Sequence, residues 1–531
     1  MLKEVMYSAP AISICPNRKY IDISYEEYNN IVSHSANGYY DQLKSIDFST
    51  GRNVAFLSTS DSHYLWNMLG LMSTNVAPVL LSPRNSIEAT IQLIQDSKSK
   101  VLIYQDVFHP MAKEIQKVIT DLIIIPKWIA KFPDCLSPMD YKFLIPLESQ
   151  EKELDKVSYT LHSSGSTSYP KLVAQTNRVC HNAGYRTRIE MMPYNRKDIN
   201  FLPLFHSGGT MGMVTSCIYL MKYTILCPDM APGSLFSSKV VLDLIKDLSP
   251  KLMMTYPLMV KELIEYCNQD QISERWEILK KLDFIRYGGA DLPKSMAKTL
   301  FDNGITPLCT FASTECSLLL RCAPDRNSEY LVPLTPAEGL QYTLKDWGDN
   351  VVELIISKDD PSLACVQDKD ENGNFPTRDL FRVANREPLL LTYLSRADDT
   401  IIHVNGEKTN PIPMEATINH CPYIEPCAIL GTGKQMNTLL VQLNLNEVLK
   451  SPLNNVFTSI KLFVKSANES APSHSRIYEE MIYYLPINSD KKLPVTIKGN
   501  LQRRKCALMF EEELKQSVEM MELGYASDES Q

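Results

Sequence analysis

The densest cluster of groups able to handle an anion is Ser163-Ser164-Gly165-Ser166-Thr167-Ser168-Tyr169-Pro170-Lys171, which follows the apolar alternation from Val157 to Leu161. Hydroxyls and backbone N–H groups gathered around a glycine can wrap phosphate oxygens, because small residues let the main chain approach closely. Lys171 adds a mobile positive charge. The GxxxxGK[ST] spacing of the Walker loop is absent. In isolation the stretch reads equally as a Ser/Gly-rich surface loop.

Further segments follow in a fixed order. Pro203-Leu204-Phe205-His206-Ser207-Gly208-Gly209 sets an imidazole beside two glycines, and Tyr287-Gly288-Gly289-Ala290-Asp291-Leu292-Pro293 offers bare backbone. Phe311-Ala312-Ser313-Thr314-Glu315 joins a ring, hydroxyls and a carboxylate. Thr377-Arg378-Asp379, Arg396-Ala397-Asp398-Asp399 and the run from Asn405-Gly406-Glu407-Lys408 to Pro413-Met414-Glu415 add charges of both signs. Singly, each has an ordinary explanation: a structural histidine at His206, a β-turn at Gly288-Gly289, a loop carboxylate at Glu315, a surface salt bridge at Arg396, and solvated charges at Lys408 and Glu415.

The elements that must carry these segments alternate along the first third of the chain. Tyr25 to Leu43 has apolar residues at helical spacing and precedes strand-like Val54 to Leu57. Helix-like Tyr64 to Leu71, strand-like Val79 to Leu81, helical Ile87 to Ile94 and strand-like Val101 to Tyr104 follow. This alternation predicts parallel sheet built from βαβ units. It resumes with Val240 to Leu248, Leu252 to Met254, Leu258 to Tyr266 and Phe284 to Tyr287. After about Leu340 shorter β-rich segments predict a small antiparallel subdomain: Val351 to Ile356, Leu389 to Tyr393 and Ile401 to Val404. The last part, with strands at Ala428 to Leu430 and Leu439 to Leu443, predicts a small α+β domain. The expected division is 1–397, 398–515 and a disordered acidic tail at 516–531.

Composition narrows the function classes. The chain has 531 residues, 44% hydrophobic and 22% charged, which is ample for globular cores. A formal net charge of -8 leaves no basic field for a nucleic acid backbone, so no such partner is expected. No apolar run reaches the roughly 20 residues that span a bilayer, and the first residues lack a signal-peptide core. The chain reads as cytoplasmic. Its 13 cysteines lack a CxxC pair, and its 9 histidines lack zinc spacing, so buried thiols are expected and a structural metal is not indicated.

The ordered set of segments resembles the adenylate-forming superfamily of acyl- and aryl-CoA synthetases, luciferases and nonribosomal-peptide adenylation domains, over nearly the whole chain. Leu81-Ser82-Pro83-Arg84-Asn85-Ser86, Gly406-Glu407-Lys408-Thr409-Asn410-Pro411 and Lys498-Gly499-Asn500-Leu501-Gln502-Arg503 are similar to fungal synthetase-like adenylation domains. The resemblance implies a large N-terminal α/β domain with a small mobile C-terminal one. It implies an ATP- and Mg²⁺-dependent ligase that turns a carboxylic acid into acyl-AMP with release of pyrophosphate. Transfer to the thiol of CoA or of a phosphopantetheinyl carrier protein would follow.

By that resemblance the Ser163 to Lys171 loop cradles the β- and γ-phosphates, Glu315 holds Mg²⁺, and Thr314 contacts the α-phosphate. Gly288, Gly289 and Ala290 lie against adenine, Phe311 covers the base, Asp379 accepts from the ribose hydroxyls, and Arg396 reaches ribose or phosphate. His206, with Gly208 and Gly209, stands at the acyl pocket, and Asp398 is the hinge about which the small domain turns. The Phe-Asp-x-Ser aspartate that pairs with an amino acid's ammonium is missing, so an aryl, keto or fatty acid is expected. Ser168 stands where relatives carry glycine, as does Arg378, and Asn500 occupies the usual place of the adenylating lysine. Lys498 is the expected substitute. These departures motivate one alternative, a non-catalytic nucleotide-binding relative; an excised adenylation domain of a larger enzyme is the other.

Overall fold

The computed structural model describes the chain except residues 1–9, 15–19, 50, 62, 141, 164–169, 190–196, 215–222, 227–235, 270–272, 290–291, 323–332, 367, 405–406, 470, 487–490, 496–500 and 513–531. The backbone alone is described at Pro10–Ile14, Ser163, Arg188, Ile189, Ser273, Asp398, Ile402, Lys408 and Arg504. Two compact units emerge. The larger holds the chain up to Thr343 together with Ile356–Pro376 and Ala384–Leu391; the smaller holds Leu344–Ile355, Thr377–Val383 and the chain from Thr392 onward.

Two sheets organise the larger unit. One runs Ile123–Pro126, Val101–Tyr104, Asn53–Leu57, Ala77–Leu81, Val157–Ser163, Lys171–Thr176. Its first five strands are parallel, and the last returns antiparallel to its neighbour. Every residue of Ala77–Leu81 and Val101–Tyr104 is buried, as expected for strands covered by helices on both faces. The helix Tyr25–Leu43 starts sharply because Ser24 Oγ accepts the Glu27 N–H at 3.2 Å while Glu27 Oε2 accepts the Ser24 N–H at 2.8 Å. Its Tyr28, Ile31, Val32, Tyr39 and Leu43 recur at helical spacing and enter the core with Trp66 of the helix Tyr64–Ser73.

In the second sheet Pro10–Ile14, Tyr223–Leu226, Lys197–Asn200, Leu252–Thr255, Phe284–Gly288 and Thr306–Ser313 lie side by side and parallel. Ser317–Cys322 and Leu334–Pro336 extend it antiparallel. The helices Ser238–Leu248 and Pro257–Asn268 bury Val241, Ile245, Val260 and Leu263 against it.

In the smaller unit Ile424–Leu430 pairs antiparallel with Thr438–Leu443, which pairs parallel with Ile482–Tyr484. The helices Ile412–Ile418 and Leu453–Glu469 share its core through Met414, Ile418, Val456 and Ile460. The strand expected over Ile401 to Val404 covers only Ile401–Ile402. Beyond it the His403 N–H donates to Glu407 O at 2.9 Å, and the buried ring places Nε2 2.9 Å from Thr409 Oγ1.

Candidate active site

In an open α/β sheet, ligands bind beyond the carboxyl ends of the strands, where loops and bare backbone dipoles are exposed. Four neighbouring parallel strands of the second sheet bring the motif segments to one such edge. The segment ending in His206 follows Lys197–Asn200, Tyr256 follows Leu252–Thr255, Gly289 follows Phe284–Gly288, and Thr314 follows Thr306–Ser313. Registers Met254↔Asn200, Thr255↔Tyr287 and Gly288↔Thr310 hold these ends level.

Steric demands at this edge explain the glycines. A Cβ at Gly288 would lie 2.7 Å from the Thr310 carbonyl oxygen, and Gly289 has φ +82. At Gly209 a Cβ would lie 2.0 Å from the Pro203 carbonyl oxygen, so the chain can fold back on itself only with glycine there. The elbow is closed by the His206 N–H donating to Pro203 O at 3.0 Å, and by Thr210 Oγ1 donating to Leu204 O. Gly208 sits in the first turn of the helix Ser207–Val214, its absent Cβ leaving room for Leu202. The His206 ring stacks obliquely on Phe205, centroids 4.9 Å apart.

Glu315 occupies a tight turn between two antiparallel strands, where Ser313 pairs with Ser317 and Ser317 has φ +58. Three contacts to the main chain fix that turn. Gln175 Nε2 donates to Thr314 O at 2.8 Å, the Ala364 N–H donates to Glu315 O at 2.8 Å, and the Cys316 N–H donates to Ser313 Oγ at 3.1 Å. The Glu315 carboxylate itself makes no ion pair or hydrogen bond among the described residues. Thr314 Oγ1 donates to Ser207 Oγ at 3.4 Å, tying this turn to the residue after His206. Phe311 is half-buried on the same strand.

The strands Val157–Ser163 and Lys171–Thr176 that flank the serine-rich segment pair antiparallel, with Ser163 and Lys171 facing each other in register at the carboxyl edge of the first sheet. Ser164, Gly165, Ser166, Thr167 and Ser168 lie outside the described residues. Lys171 Nζ rests 2.9 Å from Asp368 Oδ2, both largely exposed. The return strand Lys171–Thr176 bridges Cys365 through Ala174 and reaches the Glu315 turn through Gln175. Below it, Arg186 and Asp360 form a buried ion pair at 2.5 Å, and Asp360 also accepts the Gln341 and Ser362 N–H groups. That pair fixes the 360–364 segment whose Ala364 N–H clamps Glu315. Hairpin and carboxylate turn are therefore stitched into one frame.

His162, one residue before Ser163, is buried and accepts the Ser82 N–H at Nε2, 3.0 Å away. Burial pushes its imidazole down to about 4, so it is neutral at physiological pH and can act as an acceptor. Sequence reading passed over His162, Gln175, Arg186 and Asp360. Local pattern does not mark them, since their partners lie 80, 139 and 174 residues away.

In the smaller unit Asp379 is buried and its N–H donates to Thr377 Oγ1, which in turn donates to Leu354 O at 2.8 Å. Arg396 Nη1 lies 4.0 Å from Asp379 Oδ1, so these two expected ribose contacts are neighbours. Arg378 has φ +59. Inside the strand Phe375–Arg386 it takes the left-handed backbone that glycine would adopt more easily, at a cost of roughly 1 kcal/mol.

Glu415 is not a solvated charge. It is buried, and both its oxygens meet Arg503, Oε1 with Nη1 at 2.6 Å and Oε2 with Nη2 at 2.9 Å. Glu415 also accepts the Ile429 N–H at 2.6 Å, so it staples helix to strand. Burial alone would lower the Arg503 guanidinium, but Glu415 raises it overall. Gln502 and Arg503 follow Leu501, which forms an isolated antiparallel bridge with Val495. Lys498, Asn500 and Ala290 lie outside the described residues. Asp398 belongs to a single 3-10 turn, Ala397–Asp399.

Comparison with known proteins agrees with this geometry. Residues 4–357 match the model of the AMP-binding enzyme family, and residues 398–522 match the AMP-binding enzyme C-terminal domain. A carboxylic acid reductase of Neurospora crassa is 25% identical over 503 residues, 90% of this chain and 45% of its own length. An adenylate-forming reductase of Serpula lacrymans var. lacrymans is 24% identical over 495 residues, 87% of this chain and 44% of its own. The chain thus spans less than half the length of these relatives. Among solved structures, an O-succinylbenzoate coenzyme A synthetase of Bacillus subtilis in complex with AMP superposes with TM-score 0.73 at 18% identity, covering 94% of this chain and 96% of its own. An anthranilate CoA ligase in complex with anthranoyl-AMP gives 0.73 at 16% identity, covering 95% of each.

Proposed function

This chain belongs to the AMP-binding enzyme family, and on that premise we propose that it activates a carboxylic acid with ATP, giving acyl-AMP and pyrophosphate. The observation that carries the reading is the carboxyl edge of the larger unit. There the phosphate hairpin and the uncommitted Glu315 carboxylate are tied together through Gln175 and Ala364.

In the reaction a carboxylate oxygen attacks the α-phosphorus, the bond to the β-phosphate breaks, and pyrophosphate leaves with the electron pair. Both reactants are anions, so the protein must orient them and offset charge. The Ser163 to Thr167 backbone and Lys171 hold the β- and γ-phosphates, with Lys171 released from Asp368. Thr314 donates to the α-phosphate, and Lys498 bridges carboxylate and phosphate. Gly288, Gly289 and Ala290 admit the adenine, Phe311 covers it, and Asp379 with Arg396 takes the ribose. Glu315 fits Mg²⁺, a hard cation that accepts oxygen ligands from few protein groups, and when bound it neutralises phosphate charge. His206, Gly208 and Gly209 border the acid, which is aryl, keto or fatty in class.

The finer reading adds a second step, in which a thiol of CoA or of a phosphopantetheinyl carrier attacks the acyl carbon and AMP leaves. Residues 398–515 act as the module that turns about Asp398 between the two steps. The names of the relatives support adenylation followed by further processing of the acyl group. Incubation with ATP, Mg²⁺, labelled pyrophosphate and a panel of acids tests the first step; acid-dependent exchange is expected, and none with any acid leaves only the non-catalytic reading. Adding CoA or a carrier separately then identifies the acceptor.

A further inference from the structure

Arg84 is the cation near this edge that the scheme above leaves without a task. It follows the strand Ala77–Leu81 through Ser82 and Pro83, and its own N–H donates to Ser82 Oγ at 3.2 Å. The next residue, Asn85, places Nδ2 3.5 Å from His162 Nε2, beside the root of the phosphate hairpin. The Arg84 guanidinium lies 6.0 Å from the centroid of Phe205, the ring whose other neighbour is His206. Its charge also reaches the Tyr256 phenol, which follows the strand Leu252–Thr255 of the second sheet and which burial raises. Arg84 is partly buried, and no carboxylate lies within ion-pair distance of it among the described residues.

A partly buried guanidinium without a counter-charge is costly unless an anion completes it. An aromatic face steadies the planar group and leaves its N–H edge free, and that edge matches a carboxylate in bidentate fashion. Phosphate oxygens already have the hairpin and Lys171, and the reacting carboxylate has Lys498.

We propose that Arg84, braced by Phe205 beside His206, binds a second carboxylate on the substrate acid, so that the preferred substrate class is dicarboxylic. This deepens the acid-activation reading and rests on it. The same site repels the ammonium of an α-amino acid, consistent with the missing aspartate after Phe205. A phosphate on a pantetheinyl acceptor offers similar chemistry, but it plays no part in pyrophosphate exchange, so that assay isolates the acid.

The experiment compares matched pairs, glutarate with valerate and phthalate with benzoate, in exchange assays on the whole chain and on Arg84→Gln. The wild type is expected to favour the dianion of a pair. Arg84→Gln should lower kcat/KM for the dianion by about 10- to 100-fold while leaving the KM for ATP and the rate with the monoanion within about twofold. Equal losses for both members of each pair, a raised KM for ATP, or unchanged exchange with impaired thiol transfer would each overturn the assignment while acid activation stands. Exchange with no acid of the panel would sink the parent reading and this one together. A circular dichroism melt of Arg84→Gln matching the wild type confirms that any loss is not unfolding.

Discussion

Lowering the pH should loosen the junction of the strands Ala77–Leu81 and Val157–Ser163 through His162. Its Nε2 accepts the Ser82 N–H at 3.0 Å, and a proton there would set two donors against each other. The imidazole falls from 6.5 in the unfolded chain to about 4 in the folded protein, so the unfolded state takes the proton first as the solution acidifies. The stabilisation is fully present above 6.5 and is lost as the pH falls towards 4. A drop from 6.5 to about 4 at about 1.36 kcal/mol per pH unit gives about 3 kcal/mol in total, most of which is gone by about pH 4.5. Carboxylates titrate in the same range, so the informative quantity is a difference against His162→Gln, whose amide oxygen can accept the same N–H without titrating. Urea unfolding of both proteins at about pH 7.5, 6.5, 5.5 and 4.5 should show the wild type losing about 2 to 3 kcal/mol more than the variant across the series. A constant gap between the two would refute the argument, since it would mean that His162 is hydrated or already charged.

Arg378→Gly should raise stability by about 0.5 to 1 kcal/mol in urea unfolding, because glycine accepts the left-handed backbone without strain; a loss would mean that the Arg378 side chain holds more than its backbone costs. Asp360→Asn should destabilise by about 3 to 5 kcal/mol by stranding buried Arg186, and adding Arg186→Met, with the amide oxygen at 360 still able to accept the Gln341 and Ser362 N–H groups, should recover much of it; equal damage from the single and double changes would sink this. Lys498→Ala should slow exchange by a factor equivalent to about 2 to 4 kcal/mol with the melting curve unchanged, and intact exchange would show that another cation bridges the reactants.

Much of the fold was legible because its signals are local. Tyr25–Leu43 shows its apolar stripe in consecutive turns, and Val101–Tyr104 is a short apolar run covered on both faces. The order of glycines and carboxylates pointed to the edge where Gly288, Thr314 and His206 now stand. What stayed hidden depends on distant partners. Glu415 looked solvated because Arg503, its partner, is 88 residues away. Gln175 and Ala364 carry no local mark of clamping the Glu315 turn. Arg378 stands where relatives carry glycine, and only the dihedral shows that it takes the left-handed backbone glycine favours.

The three stitches of the Glu315 turn all engage the main chain or Ser313, so the shape of the bend owes nothing to the carboxylate it displays. Scaffold and reagent are therefore separable here. Exchanging the acid for an amide or a shorter acid alters the chemistry on offer without remodelling the loop, which makes this position a clean place to test the proposed Mg²⁺ role by substitution.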